Sequence, residues 1–210
     1  MISTIFDIHH HGAEPRSGAI NSIMAGEQLP EGNHMFSIGI HLWQTDRNDL
    51  DRLFESVHTA ISDPRVVAIG ETGIDRLRGG DLNLQTEIFN RHIDLAIQTG
   101  KPLIIHNVRA SDIILPIIKN AGKELKTIIH GFRGKPIEAQ QLINAGAYIS
   151  LGQNFNGDTA KMIPDNRLFA ETDESTMTID NIIKTIATAR LTNPQKIKEQ
   201  ITLNAELLGI

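Results

Sequence analysis

The chain has 210 residues, 40% of them hydrophobic and 21% charged, with a formal net charge of −5. That is the composition of an ordinary soluble protein, long enough for one domain with a substantial core, and its mildly acidic balance argues against holding nucleic acid by bulk positive charge. Cysteine is absent, which excludes disulfides and thiolate metal sites and fits a cytoplasmic location.

In chain order, the apolar run Ile5–Ile8 predicts a first strand, leading into His9-His10-His11. Gly12 to Asn33 is rich in Gly, Pro and small residues and reads as loop around a short strand at Ala19–Met24. Met35–Ile40 is strand-like. Asp49–Ile61 carries apolar residues at Leu50, Leu53, Phe54, Val57 and Ile61, a helical spacing. Strands at Val66–Glu71, Lys101–His106 and Lys126–His130 alternate with helices at Leu84–Gln98, Ser111–Asn120 and Pro136–Asn144, the last opening on proline. Strands at Ala147–Gly152 and Arg167–Thr172 follow, then helices at Ile179–Arg190 and Pro194–Leu208. No apolar run approaches the roughly 18 residues of a membrane span. The segment Met1–Asp7 lacks the basic and apolar regions of a signal peptide.

Eight strands separated mostly by helices predict an α/β fold with a parallel sheet. An open doubly wound sheet shares this pattern but concentrates its site at one switch point. Here five strand ends spread along the chain each carry a histidine or carboxylate: His9 and His11, Glu71, His106, His130 and Asp173. A closed TIM (β/α)8 barrel brings all strand ends to one mouth. At this length the barrel is compact, and the second unit, between Gly12 and Met35, is expected to be shortened.

Each of these residues also has a plainer reading. HxH on a strand puts both imidazoles on one side, with His10 facing away, but the pattern also arises incidentally. Glu71 or Asp173 can cap a turn or helix, and a lone buried histidine is often a hydrogen-bonded core residue. Equivalent strand-end positions favour a shared metal site. Imidazole and carboxylate donors suit zinc, manganese or nickel; magnesium normally takes more oxygen ligands. The expectation is one or two divalent ions from these four, activating a water for hydrolysis.

The ordered motifs Asp7-x-His9-x-His11, Gly39-Ile40-His41, Gly70-Glu71-Thr72-Gly73-Ile74-Asp75, Ile105-His106, His130-Gly131-Phe132-Arg133-Gly134 and Glu171-Thr172-Asp173 resemble the TatD family of metal-dependent deoxyribonucleases, within the amidohydrolase-like superfamily. The resemblance runs from Ile5 to Gly209. It implies a distorted TIM barrel, one or two divalent metals and phosphodiester hydrolysis. By position, His9, His11, Glu71 and Asp173 would hold one metal and Glu71, His106 and His130 the second. Glu71 and Asp173 would be the catalytic carboxylates, with Asp173 the general base. The chain departs from the family's pattern at Leu42-Trp43, Asn107-Val108-Arg109, Gly131, Arg133 and Glu174-Ser175, all in loops facing substrate.

Around this set, Arg133 and Arg109 follow ligand histidines by three residues and are candidates to grip a phosphate, or exposed loop arginines. His41 is a candidate substrate contact. Asp75 would orient a ligand or cap a turn. Trp43 would stack a base or, the favoured reading, cover the barrel edge. Asn154 and Asn156 sit in a loop that could reach substrate. His34, His58 and His92 read as surface or packing residues. The expected substrate is DNA, as single strands or ends, or alternatively a small phosphoester or amide handled by the same metal site. No membrane or protein partner is implied.

Overall fold

Two hydrophobic periods, two for strands and 3.6 for helices, take turns along the chain. In the computed structural model, which describes residues 5–45 and 48–210, that alternation becomes a barrel. Residues 1–4, part of the segment read as lacking a signal peptide, lie outside the described residues.

Eight strands form one sheet in sequence order: β1 (Asp7–His10), β2 (Ala19–Met24), β3 (Met35–Gly39), β4 (Val66–Asp75), β5 (Leu103–Val108), β6 (Thr127–Ile129), β7 (Tyr148–Leu151) and β8 (Leu168–Ala170). Every neighbouring pair is parallel. The helices are α1 (Leu50–Ala60), α2 (Leu82–Thr99), α3 (Ser111–Ala121), α4 (Pro136–Asn144), α5 (Gly157–Met162), α6 (Ile179–Ala189) and α7 (Pro194–Leu208). The first and second crossovers carry no helix, so the shortened second unit is present and its neighbour is short as well.

Caps written in the sequence set several helix ends. Asp81 accepts hydrogen bonds from the Asn83 and Leu84 amides to open α2, and Gly100, at φ 68°, ends it. Asn193 caps α7 ahead of Pro194. The short α5 was not predicted. Its cap, Asn156, accepts from the Asp158 and Thr159 amides, and six residues are too few to display an apolar period. Asn156 therefore serves the helix end.

The barrel closes between β1 and the segment after β8. His10 pairs with Asp173 in a parallel bridge, the Asp173 amide donates to His9 O at 2.9 Å, and the His11 amide donates to Asp173 O at 3.1 Å. The predicted strand to Thr172 stops at Ala170 because the Asp7 carboxylate intervenes. It accepts the Thr172 amide at 2.9 Å and the Thr172 hydroxyl at 2.6 Å, holding the crossing by a side chain.

Isoleucine, leucine and phenylalanine fill the barrel and the helix–sheet layer; Phe36, Phe89 and Phe169 are fully buried. Each such side chain contributes about 1.5–3 kcal/mol relative to an exposed one. The histidines and carboxylates collect at one mouth, where β4 and β5 run past the expected ends at Glu71 and His106 to Asp75 and Val108, and β4 is shaped to put Glu71 there. Between the pairs Ile69↔Leu103 and Thr72↔Ile105, β4 advances three residues while β5 advances two. This bulge of one residue re-aims the side chains around it. Gly73, with φ 148°, faces His106 across the ladder; a Cβ there would lie 2.0 Å from His106 O. Only glycine permits that approach.

Candidate metal centre

Glu71, 4% exposed, stands in the middle of the mouth, and its two oxygens face different histidines. Oε2 lies 3.2 Å from His9 Nε2 and 3.0 Å from His11 Nε2. Oε1 lies 2.5 Å from His106 Nδ1 and 2.8 Å from His130 Nε2, with His41 Nε2 at 3.5 Å. His9 and His11 arrive together because they are two residues apart on an extended segment. His10 points the other way, its Nδ1 3.0 Å from Thr172 Oγ1.

Asp173 takes its place through a left-handed backbone, φ 51°. An oxygen of Asp173, an oxygen of Glu171 and a ring nitrogen of His130 lie within 4.8 Å of one another. His9, His11 and Glu71 form a separate group of the same tightness, as do His41, Glu71 and His106. Asp173 thus groups with His130 and Glu171, while its charge also acts on His11.

Two of the histidines have a carboxylate behind them. His106 Nε2 lies 3.3 Å from Asp75 Oδ2, and His130 Nδ1 lies 3.4 Å from Glu171 Oε1. With a metal bound, each carboxylate would hold the ring's N–H on the outer nitrogen and leave the inner lone pair free to ligate. Asp75 has both of the roles considered for it, because its Oδ1 also accepts the Leu77 and Arg78 amides. Glu171, fully buried, also accepts the Gly131 amide at 2.6 Å. It was not assigned a role from sequence, although Glu171-x-Asp173 repeats the two-residue spacing of His9-x-His11.

His41 differs. Its Nδ1 accepts the Trp43 amide at 3.2 Å, so a neutral ring carries its proton on Nε2, facing Glu71. That makes it a donor toward the site, as a substrate contact would be, rather than a ligand.

The electrostatics are those of a place for positive charge. Burial pushes the Glu71 carboxyl up, but the His130 charge and hydrogen bonds from His106, His11 and His130 outweigh it and hold the group well below the usual carboxylate range. Burial likewise opposes ionisation of Glu171, and His130 overcomes it, leaving its pKa lowered. His130 is driven down by burial and then well above its ordinary value by Glu71 and Glu171. His11 is also raised, burial being outweighed by Glu71 and Asp173, while burial and the His130 charge lower His9. Two ionised carboxylates thus flank a buried region where positive charge is favoured.

The donor set fits a divalent ion. In a tetrahedral shell with ligands at about 2.0–2.1 Å, neighbouring donors are roughly 3.3 Å apart. The His9, His11 and Glu71 Oε2 contacts are close to that edge length, and one carboxylate faces two sets of imidazoles through separate oxygens.

The substrate candidates divide. His41 lines the metal cavity, about 220 Å³, together with Trp43 and Arg78. Arg133 and Asn154 line an adjoining cavity of about 220 Å³ that shares Asp173 and Glu174 with the first. Arg109 lines neither of these cavities. Its side chain is exposed and its carbonyl accepts from Arg76 Nη1 at 2.9 Å. Trp43 is 55% exposed at the rim rather than a cover for the barrel edge. Of the remaining histidines, His58 is exposed, His34 half-buried and His92 fully buried. Arg78 was not singled out from sequence, because nothing local marks an arginine three residues past a strand.

A family model described as TatD related DNase matches residues 11–208. The chain is similar to a Mycobacterium tuberculosis protein called an uncharacterized metal-dependent hydrolase TatD, 36% identical over 145 residues, 63% of this chain and 52% of that protein. The chain thus spans about half the length of that relative. A Klebsiella pneumoniae protein named 3'-5' ssDNA/RNA exonuclease TatD is 26% identical over 178 residues, 75% of this chain and 67% of that protein. The crystal structure of the Escherichia coli TatD homolog YJJV superposes with a TM-score of 0.80 over 99% of this chain and 98% of that one. At 19% identity, that likeness shows the barrel fold. No helix among the described residues is long and apolar enough to cross a membrane.

Proposed function

Because this chain belongs to the TatD family, we propose that it is a divalent-metal-dependent hydrolase that cleaves phosphodiester bonds in DNA, at single strands or ends. The observation that carries the reading is Glu71: one buried carboxylate whose two oxygens meet two separate sets of imidazole nitrogens. The similarity to a relative named as an exonuclease supports the substrate class.

In this reading His9, His11 and Glu71 would hold one ion, and Glu71, His106 and His130 would hold a second, with Asp173 beside them. Four imidazoles with few oxygens suit zinc, manganese or nickel better than magnesium. When bound, such an ion acts as a Lewis acid toward a phosphoryl oxygen and lowers the pKa of water. The protein's own groups do the rest. Asp75 and Glu171 fix the rings of His106 and His130. Asp173, half-buried between the two cavities, accepts the proton of the attacking water. His41 directs its Nε2–H into the cavity, and Arg133, in the adjoining one, binds a phosphate of the strand.

A second reading, a small phosphoester or amide hydrolysed at the same site, draws on the small size of the metal cavity, about 220 Å³. A panel of single-stranded DNA, a chromogenic phosphodiester and a chromogenic neutral ester separates the two. The expected result is chelator-sensitive cleavage of the first two, restored by a divalent ion. In the same assay Asp173→Asn should lower kcat by about 10²–10⁴-fold. Phosphodiester cleavage that survives exhaustive chelation would end the proposal.

A further inference from the structure

Trp43 and Arg78 belong to two loops that meet over the metal cavity, one after β3 and one after β4. The first is a 3-10 turn, Leu42–Gln44. Gln44 Oε1 accepts the His41 amide at 3.1 Å, and Gln44 Nε2 donates to Ala25 O at 2.8 Å. The second is tied by Asp75, which accepts the Leu77 and Arg78 amides at 2.6 and 3.0 Å, and by Gln85 Nε2, which donates to Gly80 O at 2.8 Å. The loops are joined to each other. The Gly80 amide donates to Thr45 Oγ1 at 3.0 Å, and a Cβ on Gly79 would come within 3.1 Å of Leu42 O.

On this braced frame the two side chains at issue are the uncommitted parts. The indole rests edge-on against His41, ring centroids 4.5 Å apart, and is 55% exposed. A large apolar ring held at that exposure beside a polar site offers a face to a ligand. Arg78 is exposed, forms no ion pair with a described residue, and is the one arginine or lysine among the described residues that line the metal cavity. An aromatic ring and an arginine lining one cavity are groups that proteins use to bind single-stranded nucleic acid: the ring stacks on a base and the cation meets the backbone.

We propose that Trp43 and Arg78 form a nucleotide subsite at the rim of the metal cavity, where the indole stacks on the base next to the hydrolysed bond and the guanidinium binds the neighbouring phosphate. The subsite rests on the phosphodiesterase reading and adds to it a preference for strands that carry bases. The hydrogen bonds of the Leu42–Gln44 turn and of the Leu77–Gly80 segment are made without a ligand, so little ordering of these residues is required on binding.

Trp43 is the chain's single tryptophan, so its fluorescence, excited at the red edge where tyrosine does not absorb, reports this one position. The full chain, kept in chelator so that no bond is cut, is titrated with a short oligothymidylate, with an abasic strand of equal length, and with inorganic phosphate. Saturable quenching by oligothymidylate alone is expected. Arg78→Ala should weaken that binding and reduce its salt slope by about 0.7, the loss of one phosphate contact on a single strand. In the metal-loaded enzyme, Trp43→Ala should raise KM for oligothymidylate by about 5- to 100-fold, leave the abasic strand unchanged, and be largely rescued by Trp43→Phe. Cleavage of both strands with equal KM, or equal damage by Trp43→Ala to both, overturns the subsite and leaves the phosphodiesterase reading standing. Selective quenching with no strand cleaved by the loaded enzyme keeps the subsite and removes that reading. Absence of quenching by any strand overturns the subsite.

Discussion

His92 offers a pH dependence that can be worked from its surroundings. The ring is fully buried in α2 and packs 4.9 Å from Phe54, centroid to centroid. Nδ1–H donates to Ile88 O at 2.8 Å, and Nε2 accepts the Ile40 amide at 3.0 Å. Both nitrogens are committed in the neutral form, and a second proton on Nε2 would face the Ile40 N–H with no acceptor. Burial accordingly lowers its pKa from 6.5 to about 4, the Ile88 carbonyl opposing and neighbouring charges on Arg91 and His58 adding to the fall. Between those values the unfolded chain binds the proton and the folded one does not. This contribution to stability is therefore complete above pH 6.5 and is lost as pH falls toward 4. The full loss is about 3 kcal/mol, and about 2 kcal/mol of it has gone by pH 5. Other groups titrate in the same window. Asp7, raised to about 7 mainly by burial with Thr172 opposing, contributes with the opposite sign, losing stability as pH rises from 3.8 through 7. A difference measurement isolates His92: urea unfolding of the metal-free wild type and of His92→Gln, from pH 7.5 to pH 5. Gln can accept the Ile40 amide but does not titrate. The wild type's advantage should shrink by about 2 kcal/mol over that range. Parallel stability curves would refute the assignment of a neutral, doubly hydrogen-bonded ring.

Three further outcomes follow from the geometry. His9→Ala and His11→Ala should purify with little bound metal while His10→Ala keeps most of it, since His10 faces Thr172 rather than Glu71; equal loss in all three, read by elemental analysis, would mean the histidines do not divide this way. Glu171→Gln removes the charge behind His130 and should weaken metal binding by about 10- to 100-fold in competition with a chromogenic chelator; an unchanged affinity would count against that role. Arg133→Ala should raise KM for a phosphodiester and spare a neutral ester, whereas equal damage to both would make the residue structural.

Much of this site was legible in one dimension. Strand alternation put His9 and His11 on one side and His10 on the other, and the apolar runs leading to His106, His130 and Glu71 marked strands that a parallel barrel gathers round one mouth, although β4 and β5 run on past Glu71 and His106 to Asp75 and Val108. Helix boundaries at Pro136 and Pro194 were readable because proline at a first turn and asparagine at a cap act locally. These signals depend only on a residue and its near neighbours, so the chain by itself determined the alternation of elements, the barrel and the identity of most of the side chains gathered around Glu71.

What required the tertiary structure was how those strand ends meet. Whether Asp173 sits with His9 and His11 or with His130 and Glu171 depends on how β1 closes against the end of β8, where Asp7 reaches across 165 residues to hold Thr172. Glu71 faces both sets of imidazoles because β4 gains a residue against β5, a register change that no period in the sequence records. Trp43 was read as a cover and stands at the rim. Arg109, a candidate phosphate contact or exposed loop arginine, lines neither cavity, while Arg78, unremarked in the sequence, lines the metal cavity. Residue type and period are local properties, carried by each segment alone. Convergence is set by register, bulge and closure, which exist only once segments distant in sequence are packed against one another.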